Sequence, residues 1–375
     1  MHIGFVAIGM AEEKKTGIEY YFTNLLKSLA RIDSENKYTI YVEKAVPESL
    51  AIKQDNFSTR VLKGPPVFWR QTRLAMEMLF HNPDVLYSPT PSVPLYHPCR
   101  MVVAVPDVNP MTEKDYNSFL WRVTFKRQCS YAVKHADKIV AISESTKSEI
   151  TKFLDVSADK ISVIYMAYDS DIYKAEKDVL KIKKIKQRYN IPGNYILYLG
   201  SLKPHKNIER LIQAFSQLKI KGKIDHKLII SGAPGIHHER IITMASQLTM
   251  DKEIVFTGYF PQNDLPALMA GADLFVFPSL YEGFGIPPLE AMASGVPVVA
   301  SNSYSLPEVV GDAAVIIDPY SAESIANGMY KVLSDAGLQN QLRQKGFKRA
   351  KLFSWENTAR KTLQLLEDVY RSPGQ

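Results

Sequence analysis

Two glutamates, Glu282 and Glu290, stand in the richest chemical pattern of the chain, the run from Phe277 to Ala300. Phe277 ends an apolar run that reads as a strand. Glu282-Gly283-Phe284-Gly285 then reads as a loop whose two glycines permit positive φ and close approach of the backbone to a ligand. Pro287 and Pro288 suit the first turn of a helix. That helix is expected over Leu289–Ser294, with Gly295 ending it and Val296 opening the next strand. A strand, a glycine loop and a helix N-terminus make a place for an anion such as a diphosphate, because backbone N–H groups and the helix dipole point there. Glu282 falls on the loop, beside whatever is attached beyond the phosphate. Glu290 is expected within the first helical turn, in reach of hydroxyls. A carboxylate accepts two hydrogen bonds from a vicinal diol, so sugar or ribose hydroxyls are its natural partners. Two glutamates alone would equally suit an ordinary β-loop-α unit with a capping carboxylate. The glycines, prolines and flanking strands argue for the ligand site.

Positioning such a loop requires a sheet behind it. Short apolar runs alternate with helix-length stretches along the whole chain. In the first half these are Ile3–Ile8, Tyr38–Val42, Val85–Tyr87, Met101–Val105 and Lys138–Ile142, with a helix starting near Gly17. In the second half they are Tyr195–Leu199, Lys227–Ile230, Ile254–Phe256, Leu274–Phe277, Val296–Ala300 and Val315–Ile317. Continuous apolar strands alternating with helices indicate parallel sheets covered on both faces. A length of 375 residues suits two such units. The α/β chain is therefore read as two doubly wound Rossmann-like domains, residues 1–175 and 190–354, followed by an amphipathic terminal helix over 355–375. Ligands of open parallel sheets bind at the carboxyl ends of the strands, so domains that face each other would line a common cleft. The lysine-dense stretch Lys174–Arg188 and Ile191-Pro192-Gly193 mark the boundary. Lys181–Arg188 suits either a helix binding an acidic partner or a solvated helix face.

Composition excludes other classes. Apolar residues make up 46% and charged residues 23%, a globular balance. No apolar run reaches the length of a membrane-spanning helix. The N-terminus enters a strand-like run without a signal-peptide pattern, and Cys99 and Cys129 alone make neither a disulfide framework nor a metal knuckle. A cytoplasmic protein is expected. The net charge of +7 suits anionic substrates, nucleic acid or an anionic membrane face, but also a merely basic surface. The basic residues are scattered and form no known nucleic-acid module. Gly4, Gly9 and Gly17 lack the spacing of a dinucleotide-binding turn.

The segment 282–290, two glutamates separated by seven residues in a Glu-Gly-Phe-Gly context, resembles the donor-binding motif of glycosyltransferase family 4. The resemblance extends over nearly the whole chain. Tyr198-Leu199-Gly200-Ser201-Leu202-Lys203-Pro204-His205-Lys206-Asn207 is similar to the strand and turn opening that family's second domain. Leu306–Ala314 and Ser354-Trp355 are similar to its following segment and its closing helix, which returns to the first domain. The resemblance implies a GT-B fold, a retaining transfer of mannose or a similar hexose from a GDP- or UDP-sugar, and no metal or other cofactor. It implies a glycan or lipid-linked acceptor in cell-surface polysaccharide synthesis, with no nucleic-acid partner. It implies that Glu282 contacts the donor sugar and Glu290 the nucleotide ribose. Gly283, Phe284, Gly285 and Ile286 would lie along sugar and phosphates, and Lys206 would neutralise the diphosphate.

Three positions depart from the family pattern. Ser201 stands beside Gly200 where an arginine is frequent, so either Lys203 substitutes for it or the diphosphate site is less positive than is usual in the family. Thr16-Gly17-Ile18-Glu19 resembles the N-terminal glycine loop with Thr16 in place of one glycine, and Gly17 would approach donor phosphate or acceptor; a plain helix-entry loop is the alternative. In Val105-Pro106-Asp107, Pro106 replaces a histidine that contacts the donor sugar, while Asp107 is retained and would bind acceptor or orient the loop. The family's front-face mechanism, in which the leaving diphosphate takes the acceptor proton, tolerates that loss better than double displacement does. The alternative is a GT-B relative that binds nucleotide sugar without transferring it, or that epimerises it. On the acceptor side, Phe119–Arg127 with Tyr131 is a basic, aromatic helical stretch suited either to an anionic membrane surface at the inner face or to core packing with a basic outer face.

Overall fold

The computed structural model describes residues 1–7, 17–44, 52–64, 69–112, 118–175, 178–233, 235 and 238–372. The chain divides into two compact units, Met1–Met166 with Trp355–Gln375, and Ala167–Ser354.

The first unit is built on a seven-stranded sheet of β1 (His2–Ala7), β2 (Lys37–Val42), β3 (Phe57–Val61), β4 (Val85–Ser88), β5 (Arg100–Val105), β6 (Lys138–Ala141) and β7 (Ile161–Val163). The strands lie in the order β3-β2-β1-β4-β5-β6-β7, and every neighbouring pair is parallel. Ile3 stands opposite both Tyr38 and Val85, which sets the central register. Phe5 packs its ring against Phe22, Tyr38 and Tyr87, joining strand and helix layers. β3 and β7 escaped the sequence reading for a physical reason. β3 exposes every residue but Phe57, and β7 is a three-residue edge, so neither carries the continuous apolar run of a covered strand. The helix Trp355–Arg371 packs on the helix Gly17–Ile32. Trp355 meets Tyr20 and Tyr21 at 5.8 and 6.1 Å between ring centroids, and Thr358 Oγ1 donates to the Tyr165 carbonyl at 2.7 Å. The last helix thereby belongs to the unit that begins the chain.

The second unit contains β8 (Tyr195–Leu199), β9 (Lys227–Ser231), β10 (Ile254–Gly258), β11 (Leu274–Phe277), β12 (Val298–Ser301) and β13 (Ala314–Ile317). They form a parallel sheet in the order β10-β9-β8-β11-β12-β13. Tyr198, Phe275 and Phe277 are fully or almost fully buried at its centre, each such side chain contributing on the order of 2 kcal/mol. This unit starts at Ala167, ahead of the stretch read as a boundary. The lysine run there is a helix, Val179–Arg188, capped by Asp178 and anchored by buried Ile185. Arg188 pairs with Asp264 at 2.8 Å and Lys181 Nζ donates to the Asn263 carbonyl at 2.9 Å, so the helix is docked while most of its bases face solvent.

In both sheets the strand order reverses once, between β1 and β4 and between β8 and β11. Loops leaving the strands on either side of such a point diverge and open a crevice at the carboxyl edge. The 277–290 run leaves β11 and the 200–207 turn leaves β8, so the second unit brings its two richest segments to one switch point. No described helix is long and apolar enough to cross a membrane.

Candidate active site

The loop after β11 is held from below. Ser301 Oγ donates to the Ser279 carbonyl at 2.6 Å. Gly285 has φ 106° and ψ 63°, a left-handed conformation, and a Cβ there would lie 2.6 Å from Leu306 Cδ2. Glycine is thus required both by backbone and by space. The helix that follows spans Ile286–Ala293 rather than starting at Leu289. The two prolines lie inside its first turn, where their fixed φ is compatible and the missing N–H groups have no intrahelical acceptor. Two consequences correct the sequence reading. With Ile286 as first residue, Glu290 is the fifth and lies in the second turn, not the first. The prolines also remove two of the helix-start donors, leaving the N–H groups of Gly285 and Ile286 to face an anion.

Ser305, which no local pattern singled out, completes this loop. It is fully buried, and its Oγ lies 2.8 Å from the carbonyls of both Glu282 and Phe284, sharing its hydrogen between them. Ser305→Ala leaves both carbonyls without that donor and is expected to cost about 1–3 kcal/mol. The Glu282 loop then loosens, and turnover should fall more than the melting temperature alone explains. A thermal melt and turnover both equal to wild type would remove Ser305 from the site.

The turn after β8 is locked to the same loop. Gly200 N–H donates to the Ser231 carbonyl at 2.9 Å, and a Cβ on Gly232 would come within 1.7 Å of the Gly200 oxygen, so the strand ends meet backbone to backbone. Ser201 is partly buried, and its carbonyl accepts from Tyr198 Oη at 3.1 Å. Lys203 is exposed and leads into the turn Pro204–Lys206. Asn207 is buried with φ 62°, and its Nδ2 donates to the carbonyls of Pro278 at 3.0 Å and Pro319 at 2.7 Å. Leu280 N–H donates to the His205 carbonyl at 2.7 Å. These bonds set Lys206 opposite Glu282, with Nζ 2.5 Å from Oε1 and 5.5 Å from the Phe277 ring centre. Burial, then the charges of Lys206 and Lys203, push His205 down to about 3, so its imidazole is neutral and the turn's positive charge rests on its lysines.

Glu290 has a different setting. Its side chain is buried and hydrogen-bonded to Tyr173, with Asp169 nearby. Burial pushes its carboxyl up to about 8; the Tyr173 bond pulls the other way and Asp169 adds to the rise. Tyr173 and Asp169 come from the opening segment of the same unit. Neither was singled out from sequence, where a lone tyrosine and aspartate carry no spacing signal.

The second unit therefore assembles Gly200, Ser201, Lys203, Lys206, Glu282, Gly283, Phe284, Gly285, Ile286 and Glu290 on loops and a helix at one switch point. Gly17 and Asp107 lie in the first unit. Gly17 is the exposed first residue of its helix, and Thr16 lies outside the described residues. Pro106 and Asp107 follow β5 and are partly buried. His97 Nδ1 lies 3.3 Å from the Cys99 carbonyl. Chemically, the second unit offers a cation, two amides at a helix start and a carboxylate beside them, a set suited to an anion that carries hydroxyls.

Residues 15–172 match the family described as Glycosyltransferase Family 4, and residues 181–349 match Glycosyl transferases group 1. The O-antigen chain mannosyltransferase B of Escherichia coli is 35% identical over 266 residues, covering 70% of this chain and 69% of that protein. The serotype-specific mannosyltransferase WbdA of Escherichia coli is 35% identical over 228 residues, 60% of this chain but only 28% of WbdA. Among solved structures, HepE of Anabaena in complex with UDP superposes with a TM-score of 0.77 at 19% identity, over 98% of this chain and 100% of that one, a likeness of fold. The chain belongs to glycosyltransferase family 4, has that family's two-domain GT-B fold and is a hexosyltransferase.

Proposed function

We propose that this chain transfers a hexosyl group, mannosyl in keeping with its relatives, from a nucleotide diphosphate sugar to a glycan or lipid-linked acceptor in surface-polysaccharide synthesis, with retention at the anomeric carbon. The carrying observation is the Lys206–Glu282 pair set across the switch point, with the helix start at Gly285 and Ile286 three and four residues on from Glu282. A diphosphate at the amides of that helix start would meet Lys206. The acceptor oxygen forms its bond to the anomeric carbon on the face from which the diphosphate leaves. The carbon–oxygen bond to the diphosphate breaks, and the acceptor proton passes to a departing phosphate oxygen. Negative charge grows on the diphosphate as the bond breaks, and Lys206 stabilises it. Glu282, freed from Lys206 by the incoming anion, accepts hydrogen bonds from the sugar hydroxyls, and Glu290 accepts from the ribose. Lys206 and the amides supply the countercharge, so turnover is expected to survive chelation of divalent metal. The nucleotide reading is in keeping with HepE, solved with UDP and with UDP-glucose; a GDP-sugar is the other donor that the family resemblance implies.

A thermal-shift panel of UDP, GDP, ADP and their sugars tests this. A ligand at 100 times its dissociation constant adds about 2.7 kcal/mol, a shift of several degrees. If no nucleotide moves the melt, the donor reading is wrong. One observation favours a second reading. Pro106, following β5, has neither a side-chain donor nor a proton to exchange where a histidine would contact the sugar. A binder that does not transfer would show the thermal shift but release no free nucleotide when acceptor is supplied.

A further inference from the structure

We infer that the N-terminal end of the helix Phe119–His135 is a docking surface for an anionic lipid bilayer. The inference goes beyond the donor reading and does not depend on any nucleotide binding.

The helix is divided along its length. Its C-terminal half is anchored, with Cys129, Ala132 and Val133 buried against the core that also holds Val103, Val105 and Ile139. Its first turn is not. Phe119, Leu120 and Trp121 are 70%, 76% and 44% exposed, three consecutive large apolar residues presented to solvent. Ser118 caps this turn by accepting from the Trp121 N–H, so the exposed residues stand on formed helix. Trp121 stacks on Phe125 at 5.0 Å and 9°, making a flat aromatic plate.

A loop tied to the second half of the same helix also presents apolar side chains. Leu95 and Tyr96 are 62% and 51% exposed. Tyr131 Oη donates to the Leu95 carbonyl at 2.7 Å and Gln128 Nε2 to Ser92 Oγ at 2.7 Å, which ties the loop to the helix. Gln71 fastens it from the other side, donating to the Val93 carbonyl at 3.1 Å and accepting from the Leu95 N–H at 2.7 Å. Leu95 is therefore held out by a rigid support.

Charge selects the occupant. The helix carries Arg122, Lys126, Arg127 and Lys134 and no aspartate or glutamate. Lys126 and Arg127 are exposed, between one and two turns from the apolar tip. A protein partner's interface core is depleted of charge, and lysine especially is disfavoured there. A bilayer interface asks for this combination. Aromatic and aliphatic side chains enter the headgroup–acyl boundary while long bases reach back to lipid phosphates. An acceptor carried on a lipid would then be met at the surface where the protein already rests.

Trp121 makes the test direct, because Trp69 and Trp355 are only 2% and 8% exposed. Intrinsic fluorescence and vesicle flotation are measured on the full chain with phosphatidylcholine vesicles, with and without phosphatidylglycerol. The expected result is flotation and a blue shift of Trp121 with phosphatidylglycerol, and neither with phosphatidylcholine alone. Lys126→Gln with Arg127→Gln should weaken partition by roughly 25-fold, at about fivefold per base. Leu120→Ser, at a position exposed in the folded chain, should weaken flotation at unchanged melting temperature. Absence of flotation at every phosphatidylglycerol content would overturn the proposal. So would equal binding by wild type and both variants, or equal binding to uncharged vesicles. Nucleotide-induced melting shifts measured on the same variants should match wild type, which separates this surface from the donor site.

Discussion

Lys206→Ala is expected to lower kcat by roughly two to three orders of magnitude, the usual loss when one preorganised group facing a developing negative charge is removed. Lys206 and Glu282 neutralise each other at 2.5 Å, with side chains only 15% and 13% exposed. An incoming diphosphate competes for the same ammonium, so the pair holds both groups ready without fixing either to a permanent partner. Removing Lys206 acts twice. It deletes the countercharge to the leaving group, and it leaves Glu282 in a mostly covered place without its cation, a costly arrangement for a buried charge. Glu282→Gln keeps the shape, removes the carboxylate and relieves that second penalty. The double variant Lys206→Ala with Glu282→Gln should therefore lose less than the two single losses multiplied together. Steady-state kinetics of the three variants, with melting temperatures alongside, read this out. A Lys206→Ala enzyme within threefold of wild-type kcat would mean that the turn after β8 does not meet the leaving group.

Glu290→Ala should act mainly on affinity, weakening nucleotide binding above about pH 8, where the carboxyl is ionised, by about 10- to 100-fold, in line with the loss of one hydrogen bond to a charged group. Its pH dependence is the sharper test. Burial raises the folded carboxyl to about 8, above its ordinary value of 4.5. The native chain then keeps a proton that the unfolded chain gives up. This contribution to stability is fully present below pH 4.5 and is lost as pH rises towards about 8. Melting temperature of the unliganded protein should decline across that window relative to Glu290→Gln, which has nothing to titrate there. Nucleotide affinity should run the other way. Ribose hydroxyls donate to the carboxylate, so affinity should climb with pH by up to roughly tenfold per unit and level off above about 8. Tyr173→Phe removes the bond that pulls this carboxyl down and should move the affinity curve to higher pH. A flat pH profile in wild type, or equal profiles for wild type and Glu290→Gln, would dissociate Glu290 from the ribose.

Much of the second unit was legible from local pattern. Its strands were readable because covered parallel strands are continuous apolar runs, and the loop at Gly283 and Gly285 because only glycine tolerates the φ of 106° at Gly285. The start of the helix falls three residues earlier than expected: the two prolines suit a first turn, but the helix was counted only from Leu289, whereas it begins at Ile286 and takes both prolines in. In the first unit, β3 was missed because a mostly exposed edge strand leaves no apolar run to read.

The sequence by itself determined that a glycine loop, a helix start and two glutamates follow one strand, and that a lysine turn follows another, because backbone permission and apolar periodicity act over a few residues. Only the tertiary structure decided that these segments flank the same switch point, since strand order is set by pairing between distant runs. It alone brought Lys206 to Glu282 across 76 residues, Ser305 under the loop across 23 and Asn207 to Pro319 across 112. A serine, an asparagine or a tyrosine such as Tyr173 gains its role from the carbonyl or carboxyl it meets, and that partner is chosen by packing. The donor loop of Glu282 is in this sense written locally, while the bonds that hold it in place exist only once the sheet has closed around it.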